Sequence, residues 1–197
     1  MSELKREKIW DPVTRVWHWV LVLCVGVSWG FGKFMSFDNV TWHFYLGYTI
    51  LGLLAFRVAW GFIGPQPIRL LTLWPRPAAI ITYLRTFPHP VPSGTRGHSP
   101  LGSLWILAIL FLLIAQGFTG LFIDADDFFE EGPLYGSVSE STAKLFNLWH
   151  YYMSNVILGM VVLHVSVIIF YFVWKRENLV KPMVSGWKWV RLKKQKP

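Results

Sequence analysis

Four long apolar stretches decide most of what this chain can become. They cover residues 13–34, 42–63, 101–123 and 145–174. A helix needs about 20 largely apolar residues to cross a hydrocarbon core roughly 30 Å thick. Each stretch meets that length, and charges inside them are sparse. Arg15 and Lys33 lie near the two ends of the first, Arg57 lies within the second, and the third and fourth carry none. The fourth has 30 residues, more than a bilayer demands, so this helix is expected to tilt or project. Composition points the same way. The chain is 53% hydrophobic and only 15% charged, where a soluble domain carries about 25% charged residues. The expected fold class is an all-α integral membrane protein, a bundle of four transmembrane helices forming one domain over residues 1–197. The first stretch lacks a small-residue cleavage site before a polar region, so it is expected to stay in the membrane as a signal anchor.

The net charge is +8, a balance that in a soluble chain would suggest nucleic acid. The distribution excludes that reading, because the cations gather at the ends of the apolar stretches. Lys5, Arg6, Lys8 and Arg15 stand at the start of the first. Arg69, Arg76, Arg85 and Arg96 lie between the second and third. Lys175, Arg176, Lys181, Lys188, Arg191, Lys193, Lys194 and Lys196 follow the fourth. Only Lys33 and Lys144 fall on the opposite side. The positive-inside rule then places both termini in the cytoplasm. Within the basic loop, residues 78–85 have the character of a short interfacial helix. The loop on the other side, residues 124–144, holds Asp124, Asp126, Asp127, Glu130, Glu131 and Glu140 against one lysine. It reads either as a solvated loop or as an acidic docking face for a basic partner.

Cys24 is the single cysteine. A disulfide, a cysteine-ligated zinc and a cysteine-ligated iron–sulfur cluster are therefore excluded within this chain. No C-x-x-C-H occurs, so haem is not attached covalently through that motif. Cys24 is expected to be a small residue facing lipid or core.

The histidines carry the chemistry. His18, His43, His150 and His164 lie in or at the edge of the apolar stretches, where an ionisable group is costly and points to function. The direction of each span sets their depth. His43 and His150 fall near the outer face, His18 and His164 toward the inner one. His150 and His164 are 14 residues apart, just under four helical turns, so they share a face and stand roughly 21 Å apart along the axis. Imidazoles from facing helices suit haem iron, and two of them fill both axial positions. A zinc site would want three or four ligands converging at one point. On the residues alone, three readings stand: two haems, one metal or haem site, or structural and proton-relay histidines.

Arg57 follows His43 by 14 residues and shares its face, at inner depth. It is a candidate for pairing with haem propionates; the alternative is an arginine snorkelling to the interface. His98 opens the third span with Ser99-Pro100. Either His98 or Ser99 is suited to capping that helix, and His98 is a candidate for a haem edge or a quinone. His89, between two prolines, reads as solvated. Gly26, Gly30, Gly47, Gly52, Gly117, Gly120 and Gly159 allow close helix packing or room for a macrocycle. Trp10, Trp17, Trp19, Trp42, Trp149 and Trp174 fit an interfacial aromatic belt.

These pieces, in order, resemble the bacterial cytochrome b561 family, which includes the cytochrome b subunit of membrane-bound nickel–iron hydrogenases. The matching segments are Trp10-Asp11-Pro12-Val13-Thr14-Arg15-Val16-Trp17-His18-Trp19 and Trp42-His43-Phe44-Tyr45-Leu46-Gly47-Tyr48. They continue with Phe56-Arg57-Val58-Ala59-Trp60-Gly61-Phe62-Ile63-Gly64-Pro65 and Gly97-His98-Ser99-Pro100-Leu101-Gly102. His150, His164 and the tail Lys175-Arg176-Glu177-Asn178-Leu179-Val180 complete the set. The resemblance implies a bacterial inner-membrane, multi-pass bundle with two non-covalent haem b groups. It implies that His18, His43, His150 and His164 are the iron ligands. It also implies electron transfer between the quinone pool and a redox partner outside the cytoplasm. The acidic outer loop favours a basic partner such as a periplasmic c-type cytochrome. It disfavours superoxide, an anion that some members of the family oxidise. Two further readings are an electron-carrying anchor subunit of a hydrogenase or dehydrogenase complex and, outside redox chemistry, a histidine-relay transporter.

Overall fold

The structure is a computed structural model that describes residues 4–66, 68–87, 89–90 and 97–191. Arg96, Lys193, Lys194 and Lys196, which enter the charge argument above, lie outside the described residues. The chain opens with strand β1 (Leu4–Lys8), then α1 (Pro12–Lys33) and α2 (Val40–Ile63). A 3₁₀ turn (Leu70–Leu73) and helix α3 (Pro77–Thr86) lead to α4 (Pro100–Gly120). The short strands β2 (Asp124–Ala125) and β3 (Glu130–Glu131) precede α5 (Glu140–Val173), α6 (Val180–Ser185) and β4 (Trp187–Arg191). Helices α1, α2, α4 and α5 are each long and apolar enough to cross a membrane.

The helices begin where capping chemistry dictates. Asp11 precedes Pro12 and accepts from the Thr14 N–H at 3.0 Å and the Thr14 hydroxyl at 2.6 Å. Ser99 precedes Pro100 and accepts from the Gly102 N–H at 3.1 Å. In both, an oxygen side chain takes an orphan donor while proline fills the position whose N–H is not needed. Ser99 is thus the cap of α4, not His98. Helix α5 starts five residues earlier than expected, because Ser139 accepts the Thr142 N–H at 3.3 Å. Its 34 residues span about 50 Å. It ends at Val173; Arg176 then takes the left-handed region at φ 51°, and the Glu177 N–H reaches back to the Tyr171 carbonyl at 3.0 Å.

The contacts fall into two compact units. One comprises residues 1–16, 58–108 and 162–197, and the other residues 17–57 and 109–161.

The first unit contains a two-stranded antiparallel ribbon, in which Leu4 pairs with Arg191 and Lys8 with Trp187. The hydropathy pattern gives no sign of it. The ribbon has two faces, as strand alternation requires. Val190 and Lys188 are buried, whereas Trp187 and Trp189 are exposed. Beneath it, Ile9, Trp10, Ile68 and Val190 form a core, with Trp60 and Met183 packed against them. Removing such side chains from water contributes roughly 1.5–3 kcal/mol each. Buried Lys188 is paired with Glu177 at 3.3 Å. Gly186 ends α6 at φ 84° and its carbonyl accepts the Ile9 N–H at 2.8 Å. A side chain there would meet the Trp10 carbonyl at 2.8 Å, so only glycine suits this junction. Helix α3 has no buried residue, in keeping with an interfacial position.

The second unit holds the acidic segment. Its β2–β3 hairpin covers a cluster of Val40, Phe44 and Ile123, joined by Met35, Ala125 and Phe128. Glu130 accepts the Thr41 hydroxyl at 2.8 Å, and the Asp124 carbonyl accepts from Asn147 at 3.2 Å. The hairpin is thus tied by bonds to both α2 and α5, while Asp127 and Glu131 stay exposed.

Candidate functional site

His43 on α2 and His150 on α5 come together within the second unit. Their ring centroids are 6.2 Å apart and the rings are nearly perpendicular, at 79°. Each ring is fixed from behind. The His43 Nδ1–H donates to the Ser28 carbonyl at 2.9 Å, with the Ser28 hydroxyl at 3.3 Å. The His150 Nδ1–H donates to the Gln116 carbonyl at 3.0 Å, with the Thr119 hydroxyl at 3.2 Å. A carbonyl can only accept, so Nδ1 carries the proton and Nε2 keeps its lone pair. This is the arrangement by which proteins orient histidine ligands and raise their basicity.

The spacing was tested against a shared metal ion. An ion about 2 Å from a nitrogen on either side puts two imidazole centres about 6 Å apart once the roughly 1 Å from nitrogen to ring centre is added. The observed separation matches. The cleft between the rings holds ≈ 30 Å³ and is lined by Phe44, Gly47, Leu51, Gly117, Gly120 and Ile123 among others. The glycines keep it from closing with hydrocarbon. A Cβ on Gly120 would approach the His150 ring at 3.2 Å, and one on Gly117 would meet Leu51 at 2.6 Å. Gly47 faces open space. The ring spacing and the glycine lining would suit a haem between the two imidazoles once the cleft widens beyond the volume of about one water that it holds here.

Gly32, absent from the glycines singled out in the sequence, completes the site, since a Cβ there would lie 2.9 Å from His43 Cε1. It had no signal of its own, because its role follows from lying one turn after Ser28, whose carbonyl anchors the same ring. The carbonyl anchors themselves had no signal, because a main-chain oxygen is the same in every residue type.

The other candidates are placed as follows. His18, on α1 in the second unit, is half-buried and stands edge-on to Trp19 with centroids 5.3 Å apart. His164, on α5 in the first unit, is exposed. Arg57 is only 4% exposed, so it does not snorkel. Its guanidinium lies 5.7 Å from the Trp17 ring centre, within cation–π range. Trp17 is held in turn by donating to the Leu53 carbonyl at 2.7 Å. His98, in the first unit, packs on Trp10 with ring centres 4.6 Å apart. Trp10 and Trp17 are both buried and leave the proposed aromatic belt, where Trp19, Trp42, Trp149 and Trp174 are exposed. Cys24 is buried.

Comparison with known proteins identifies the family. Residues 9–186 match the family described as prokaryotic cytochrome b561. The chain is 25% identical to a probable Ni/Fe-hydrogenase B-type cytochrome subunit of Azotobacter vinelandii, over 91% of this chain and 87% of that protein. It is 26% identical to the protein of the same description from Azotobacter chroococcum mcd 1, with the same coverage. For the one from Rhodobacter capsulatus the identity is 24%, over 90% of this chain and 79% of the relative. No solved structure matches. A family match across nearly the whole chain and four helices long and apolar enough to cross a membrane give the assignment: the chain belongs to the prokaryotic cytochrome b561 family, as a multi-pass, helical inner-membrane b-type cytochrome of electron transport.

Proposed function

We propose that this cytochrome carries two haem b groups and exchanges electrons between the quinone pool and a redox partner on the far side of the membrane. His43 and His150 would hold one haem, and His18 and His164 the other. The observation that carries the reading is the His43–His150 pair, at ligation distance with both Nδ1 atoms committed to carbonyls. Haem supplies reversible one-electron chemistry when bound. The chain's own residues orient the ligands, exclude water and set the charge nearby. Two histidines holding one haem iron would leave it no free position, which would favour electron transfer over oxygen chemistry. Arg57, buried over Trp17, is suited to a propionate of the haem at its own depth. The cation clusters support cytoplasmic termini through the positive-inside rule.

The relatives' printed names favour a larger redox complex as partner, of the hydrogenase kind. The acidic hairpin supports a basic partner surface, the feature that a soluble c-type cytochrome shares. The test has two parts. A reduced-minus-oxidised spectrum of the purified protein should show two non-covalent low-spin haems per chain; a colourless protein from haem-sufficient cells would refute the reading. Gentle solubilisation should then retain a second polypeptide if the chain is a subunit. If it is isolated alone, yet a reduced quinol analogue passes electrons through it to a basic c-type cytochrome, the partner is soluble.

A further inference from the structure

The first unit contains a cavity of ≈ 470 Å³ apart from the cleft between His43 and His150. Its size is within the range of small-molecule sites, roughly 300–1,000 Å³. Polar groups on its wall come from Lys8, Gln66, Thr72, His98 and Ser103. Among the described residues, no carboxylate lines it. An ammonium, an amide, an imidazole and two hydroxyls form a lining rich in donors, and such a lining recognises an oxyanion.

The place of the cavity says which oxyanion. Lys8 lies just before the start of α1, Gln66 just past the end of α2, and His98 and Ser103 flank the start of α4. Three membrane-crossing helices thus begin or end at its wall, so it lies at the level of the lipid headgroups. Helix α4 presents its first turn there through Ser103, where negative charge is favoured. The carbonyl end of α2 is covered, since Arg69 Nε donates to the Gly64 carbonyl at 2.8 Å. Leu73 and Ile9 supply an apolar border, as a glycerol backbone and acyl chain require. His98 is steadied against Trp10, so one donor is already ordered. A neutral quinone would gain nothing from the lysine charge. A zwitterionic headgroup would bring a second cation that this wall does not pair.

We propose that this cavity binds the phosphate of an anionic phospholipid headgroup, through Lys8 and His98, in the leaflet where α1 and α4 begin. The test uses the detergent-purified, haem-loaded full chain. Its thermal unfolding is followed with dioctanoyl phosphatidylglycerol, with dioctanoyl phosphatidylcholine and with inorganic phosphate at equal concentration. Phosphatidylglycerol should raise the midpoint by roughly 3 °C or more beyond phosphatidylcholine, as expected for a ligand that binds only the folded state. Lys8→Gln and His98→Gln should each remove most of that difference while leaving the haem spectrum unchanged. Lys181→Gln, an exposed cation outside the cavity, should keep it. If inorganic phosphate gives the same shift, the occupant is a free anion and the lipid assignment fails. If phosphatidylglycerol matches phosphatidylcholine, or if the two cavity variants retain the shift, the site itself is refuted.

Discussion

His150 and His98 are given opposite surroundings by the same chain. His150 has its Nδ1–H committed to a main-chain carbonyl and faces a cleft of hydrocarbon and glycine. His98 rests on an indole and faces a cavity of side-chain donors. The first arrangement is directional. It fixes a ring plane and leaves one lone pair, as a metal ligand needs. The second is electrostatic. It gathers donors around a space without prescribing one bond, as an anion site needs. An intramembrane histidine is therefore not a function in itself; its back-side partner determines what its front side can do.

The sharpest way to break this comparison is to exchange the two histidines for alanine in turn. His150→Ala should remove one of two haems, halving the reduced-minus-oxidised absorbance, while His98→Ala should leave the haem content unchanged. Equal losses from both would show that the two environments are not functionally distinct.

A smaller effect is expected at Arg57. Arg57→Gln removes a buried cation that lies over Trp17. A desolvated cation–π contact contributes about 2 kcal/mol, so the melting temperature should fall. Loss of a positive charge also disfavours the reduced state, so one haem midpoint should shift to more negative potential. Redox titration checks this; an unchanged potential would remove Arg57 from the haem environment.

Gly117→Ala tests the cleft by steric means. The added carbon would lie 2.6 Å from Leu51, and overpacking of this kind costs about 1–3 kcal/mol. The readout is thermal stability together with haem retention. Gly159→Ala, with nothing within 4 Å of the new carbon, is the matched control and should be close to neutral.

The smallest effects separate main-chain from side-chain anchoring. Thr119→Val deletes a hydroxyl 3.2 Å from His150 Nδ1, but the Gln116 carbonyl remains. The cost should be at most about 0.5–1.5 kcal/mol. Ser28→Ala should likewise keep the His43 ring in place, because the 2.9 Å acceptor there is the carbonyl and not the hydroxyl. Haem loss in either variant would mean that the hydroxyls, rather than the main chain, orient the ligands.

The spans were legible in the sequence because crossing a membrane is a local property. Twenty apolar residues announce themselves without reference to the rest of the chain, and the observed helices start within five residues of the expected positions. The depth match of His43 and His150 followed from span direction and helical rise alone. Other features were illegible for equally physical reasons. The ribbon joins Leu4 to Arg191 across almost the entire chain, and its strands are too short and too charged to stand out. Trp10 and Trp17 carry the composition of a belt, yet packing puts one against His98 and the other under Arg57.

The sequence by itself determined the number of apolar spans, the charge asymmetry and the family, since all three are written in residue type and spacing. Only the tertiary structure decided which atom of each ligand is committed, which tryptophans are buried and where the donor-lined cavity opens. Those depend on main-chain carbonyls and on neighbours distant in sequence, and neither leaves a mark on the residue that uses them.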